Sequence, residues 1–87
     1  MRARASPMPA CLFALALAAV PPQSLEDLST RAKQAMVAGK FDVAVKLYRR
    51  LVASIPDDAG SRFNLGLALH SAGRYREAIP ELEAALN

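Results

Sequence analysis

The chain has 87 residues, enough for one small domain, with 53% apolar residues and a formal net charge of +3. Much of the apolar excess sits between Ala10 and Val20, so the remainder is leaner than the total suggests. The positive charge does not mark a nucleic-acid binder: from Ala19 onward nine Lys or Arg stand against eight Asp or Glu, the signs alternate, and the densest basic run is Arg49-Arg50.

Residues 1–18 have the three-part form of a secretory signal peptide. Arg2 and Arg4 supply the positive start, Cys11 to Leu17 the apolar centre, and Ala16-Leu17-Ala18 the small side chains read at a cleavage site, placed here after Ala18. The apolar run is about half of the ~20 residues that a membrane span requires, so no stable span is expected after cleavage. Lipidation would need the apolar stretch before the cysteine, and here it follows Cys11. The predicted destination is the periplasm or beyond, since the Ala-, Arg- and Pro-rich usage is in keeping with a bacterial source. With Cys11 removed, neither a disulfide framework nor a thiolate metal site is available to the mature part. Residues 19–24, with Pro21-Pro22, read as a linker.

Beyond the linker the pattern is helical. Ser24-Leu25-Glu26-Asp27 has the form of a capping box, opening a helix that runs to about Ala38, with Gly39 suited to a left-handed position just past its end. Asp42 stands in the first turn of a second helix, near its positive dipole end, and this helix runs to about Ser54, before Pro56. Asp57 or Asp58 can cap a third helix reaching Ala72, again followed by glycine, Gly73. Phe63, Leu65, Leu67 and Leu69 alternate like a strand, yet Gly66, Ala68 and the preceding Asp pair favour helix. A fourth helix starts near Tyr75 and runs to the chain end, with Pro80 in its second turn as a tolerated kink.

These helices repeat. Shifted by 34 residues, Ala32 falls on Gly66, Ala38 on Ala72, Gly39 on Gly73, Lys40 on Arg74, Phe41 on Tyr75, Ala44 on Ala78 and Val45 on Ile79. Small residues stay small, glycine stays glycine and aromatic stays aromatic. Ala44 and Ala78 mark close crossings where only a methyl fits. Gly66 in mid-helix costs about 1 kcal/mol against alanine, and the close approach of a neighbouring helix is the reason expected for it.

With Leu65-Gly66, Leu69, Gly73, Tyr75, Ala78, Leu82 and Ala85 in one unit, and Leu28, Ala32, Gly39, Phe41, Ala44, Tyr48, Leu51 and Pro56 in the other, the chain resembles the tetratricopeptide repeat family. The resemblance covers residues 25–87: a first repeat at 25–58 and a second, truncated one at 59–87. Arg31, Ala35 and Arg62 depart from it, standing at places usually apolar, aromatic and large-hydrophobic, and are expected to weaken the first hairpin's inner packing.

The resemblance implies an all-α fold of antiparallel helix hairpins stacked into a right-handed solenoid, with the first helix of each unit lining a concave groove for a peptide or partner protein. Candidate groove residues are Glu26, Ser29, Lys33 and Met36 from the first unit and Phe63, Asn64, Leu67 and His70 from the second. Asn64 matches a position where peptide-binding relatives of the chaperone-tail class present an amide to the ligand backbone. Ser29 stands where that class has lysine and Lys33 where it has asparagine, so its carboxylate clamp is incomplete here.

No constellation for catalysis, metal or cofactor is found. His70 is the sole histidine, and the mature part has no cysteine to join it. Glu77 and Glu81, four apart beside Arg74 and Arg76, read as a solvated face, while Tyr48 and Tyr75 take repeat positions. The expected function is therefore an exported protein–protein interaction scaffold and not an enzyme. The alternative is the N-terminal repeat region of a longer enzyme or envelope-assembly factor. Two hairpins leave Ile79, Leu82 and Leu86 short of partners, which points to a fragment of a longer repeat protein, to self-association through that open face, or to marginal folding, the first being favoured.

Overall fold

The computed structural model describes residues 24–87. The leader at 1–18, its cleavage point, Cys11 and all but the last residue of the linker lie outside the described residues. Four helices follow in order: α1 Leu25–Val37, α2 Phe41–Ser54, α3 Ala59–Ser71 and α4 Tyr75–Leu86. Each packs on its neighbour in the chain, and no strand occurs among the described residues.

Local chemistry sets the helix ends. Ser24 adopts extended backbone and its Oγ accepts the Asp27 N–H at 3.0 Å, with Glu26 and Asp27 in the positive first turn. Asp58 does the same for α3, accepting the Ser61 N–H at 2.9 Å and the Ser61 hydroxyl at 2.6 Å. Of the two candidate aspartates, Asp58 is therefore the cap. Both first helices of the hairpins end alike. Gly39 (φ 75°) and Gly73 (φ 77°) take the left-handed conformation. The following N–H of Lys40 reaches Ala35 O, and that of Arg74 reaches Leu69 O, each at 2.8 Å. That reversal starts α2 and α4 without any side-chain cap and turns each helix back on its predecessor. α4 passes through Pro80 uninterrupted.

The core is one cluster: Leu28, Ala32 and Ala35 from α1, Ala44, Val45, Tyr48 and Leu51 from α2, Leu65, Ala68 and Leu69 from α3, and Ala78 from α4. Spacings of three and four put each set on one face. Burial raises the Tyr48 phenol above its ordinary pKa. Gly66 sits at a close helix approach. A Cβ there would meet the Leu82 side chain, with Cγ at 2.6 Å and the Leu82 backbone N at 3.4 Å. The expected close neighbour is thus α4, and Leu82 fills the space that a methyl would take.

One expectation needs an addition and one a correction. Glu77 does stand on a solvated face, its side chain 47% exposed, but it and Glu81 are also paired across helices. The Arg49 guanidinium of α2 donates to Glu77 Oε1 at 2.8 Å, and Arg74 grips the same carboxylate through Nε and a terminal nitrogen at 2.8 and 2.9 Å. Arg62 donates to Glu81 Oε1 at 3.2 Å, with both side chains only about a quarter exposed (29% and 26%). The reason is tertiary: stacking packs α3 against α4 and puts the Arg49 side chain of α2 within reach of Glu77. Likewise, Arg62 does not leave a plain packing defect. Its Nε donates to Pro56 O at 2.9 Å, so the guanidinium straps the inter-hairpin turn to α4 where a hydrophobe was expected.

Candidate groove on the first helices

The groove candidates lie on α1 and α3, and the alternation in α3 is what exposes them. On a helix, residues four apart share a face and residues two apart lie on nearly opposite faces. Leu65 and Leu69 are accordingly buried at 2% and 0%, while Phe63 and Leu67 stand 48% and 40% exposed. The strand-like pattern thus encodes a helix with two apolar faces, one used by the core and one left outside.

Glu26, Ser29 and Asn64 come together. They line a cleft of about 310 Å3 between α1 and α3, whose floor includes Leu51 and Ile55 and whose far wall is the start of α3, with Asp58, Gly60 and Ser61. Bonding to the Ser61 hydroxyl, and then to its backbone N–H, holds the Asp58 carboxyl below its usual pKa, so the cleft keeps an ionised acid at its edge. Phe63, Leu67 and His70 form a stripe along α3 at spacings of four and three. His70 meets the Tyr75 ring edge-on, centroids 5.0 Å apart, which joins the stripe to the start of α4.

Lys33 is not brought into that cleft. It lines a separate depression of about 400 Å3 with Thr30, Gln34, Val37 and Ala38. Met36 is half-buried and packs against the core, so it contributes its edge at most. Leu25, Leu51, Ile55 and Gly60 were not singled out for the groove in the sequence. No local signal marks Leu25 or Leu51, because only stacking brings them beside the α3 cap. Among the described residues no group of His, Cys, Asp or Glu is arranged to hold a metal ion, and no helix is long and apolar enough to cross a membrane.

Two hairpins with glycine reversals, alanines at the crossings and an exposed inner face define a helical repeat. A family model described as tetratricopeptide repeat matches residues 29–86, more than half of the chain. The chain belongs to the tetratricopeptide repeat family. No curated protein and no solved structure matches it. Repeats of this family suggest protein–protein interaction and are typically non-catalytic.

Proposed function

We propose that this chain is an exported scaffold that captures a peptide or partner protein on the inner face of α1 and α3 and performs no catalysis itself. The observation that carries the reading is the exposure of Phe63 and Leu67 on a helix whose other apolar face already fills the core. Neither side chain is needed for burial, and a contiguous exposed apolar stripe beside a polar cleft is the form of an interaction surface. The stripe supplies affinity to apolar side chains of the ligand. The Asn64 amide at the cleft can both donate to and accept from an extended ligand backbone, which fixes orientation. Export rests on the leader sequence alone.

The test is crosslinking and capture in the native compartment with Phe63→Asp/Leu67→Asp beside the native chain, fold being monitored by circular dichroism. Each exposed apolar anchor contributes on the order of 1–2 kcal/mol, so a bound partner should be lost at least tenfold. Equal recovery with a correctly folded variant rejects the groove. Recovery of the chain from the cytoplasm with residues 1–18 intact rejects export independently.

A further inference from the structure

The seam between the two hairpins shows what each repeat asks of the next. On α2, Val45 is 1% exposed; its counterpart 34 residues on, Ile79 of α4, is 56% exposed. Val52 packs against the core, whereas its counterpart Leu86 is 86% exposed. With Tyr75 at 57% and half-buried Leu82, these side chains form a stripe at 4-3-4 spacing, the pattern of a helix–helix seam. Arg76 and Glu83 flank it on one edge, two turns apart, and neither forms an ion pair among the described residues.

Charge decides which occupant fits. Across the existing seam, Asp42 faces Arg74 at 3.4 Å and Arg49 faces Glu77 at 2.8 Å. On the open face Asp42 is replaced by Arg76 and Arg49 by Glu83. If a second copy stacked head to tail, its first hairpin would offer Lys40 where Arg74 stands and Val43 where Glu77 stands. Arg76 would then oppose a lysine, and Glu83 would oppose a valine. Burial agrees: Ser61, Leu65 and Ala68, buried on α3, correspond to exposed Asp27, Arg31 and Gln34 on α1. Head-to-tail growth is therefore disfavoured.

A twofold arrangement has none of these conflicts. With two α4 helices antiparallel about an axis between Ile79 and Leu82, Ile79 meets the partner's Leu82 and Tyr75 meets the partner's Leu86. Arg76 then lies within a side chain's reach of the partner's Glu83, and the symmetry makes that pair twice. We infer that the open face of α4 is a self-complementary docking surface whose occupant is α4 of a second copy, giving a closed antiparallel dimer. A helix of 12 residues is about 18 Å long, so the patch is smaller than a standard specific interface and the dimer is weak and exchanges readily.

Sedimentation equilibrium of the full chain, from micromolar to millimolar, tests it with charge variants. Arg76→Glu and Glu83→Arg each turn both exposed pairs repulsive and weaken the dimer about tenfold. The double variant restores the native constant, and mixing the two single variants yields a heterodimer with both pairs complementary. Ile79→Asp leaves a monomer with unchanged helicity. A native chain that stays monomeric throughout, as when some other segment or protein covers α4, overturns the inference. So does a dimer indifferent to the single swaps, or a double swap that fails to restore it. Groove variants at Phe63 and Leu67 leave this readout unchanged, which separates the two surfaces.

Discussion

Replacing Gly66 with alanine sets two effects of known sign against each other. Helix propensity favours alanine by about 1 kcal/mol at an interior position of α3. Against that, the added Cβ would fall 2.6 Å from Leu82 Cγ, far inside van der Waals contact, and 3.4 Å from the Leu82 backbone N. Relief requires moving a branched side chain that is half-buried and packed on the core. Overpacking of this kind costs roughly 1–3 kcal/mol, so Gly66→Ala should destabilise by about 0–2 kcal/mol net. The sharper expectation concerns its partner. In a Leu82→Ala background the obstruction is gone, and the same substitution should stabilise by about 1 kcal/mol. Urea denaturation of the four proteins, followed by far-UV circular dichroism, gives the cycle. An equal effect of Gly66→Ala in both backgrounds, or stabilisation in the native one, would refute the claim that glycine is held there by α4.

At the neighbouring crossing, Ala78 is 2% exposed, and Ala78→Leu should cost roughly 1–3 kcal/mol in the same assay. Gly39 and Gly73 have positive φ and nothing within 4 Å of a prospective Cβ. Alanine at either site should therefore cost about 1 kcal/mol from backbone conformation alone, and asparagine less, as thermal melts can report. Acid should weaken the fold. The Arg74 hydrogen bond, with Arg49 helping, holds the Glu77 carboxyl below its ordinary pKa, and Ser61 does so for Asp58. Folded pKa values below the unfolded ones mean that the unfolded chain binds protons more readily in that range. The stabilisation is thus complete above the ordinary carboxylate pKa of about 4 and is lost as pH falls through the lower folded values. Melts in acid should show less of this loss for Asp58→Asn, which keeps a capping oxygen but does not titrate.

Helix ends, hairpin reversals and the 34-residue echo were legible in the sequence because they depend on groups a few residues apart. A hydroxyl or carboxylate at a helix start and a glycine past its end act through the local backbone, and the structure places both within a residue of expectation. The groove was legible in part. Ser29 and Asn64 meet in a cleft, but nothing local could show that this cleft would stop short of Lys33, one turn along the same face, or that Met36 would pack on the core. The ionic partners were illegible for the same reason. Arg49 and Glu77 stand 28 residues apart, and Arg62 and Glu81 stand 19 apart, so only stacking makes them neighbours.

Val45 and Ile79 show the division most plainly. In sequence they are equivalent, β-branched and placed identically in their repeats, and by itself the sequence determined that both belong to a helix face that seeks apolar cover. The tertiary structure alone decided that one is 1% exposed and the other 56%. Burial is a property of what lies against a side chain, and α3 lies against only one of them.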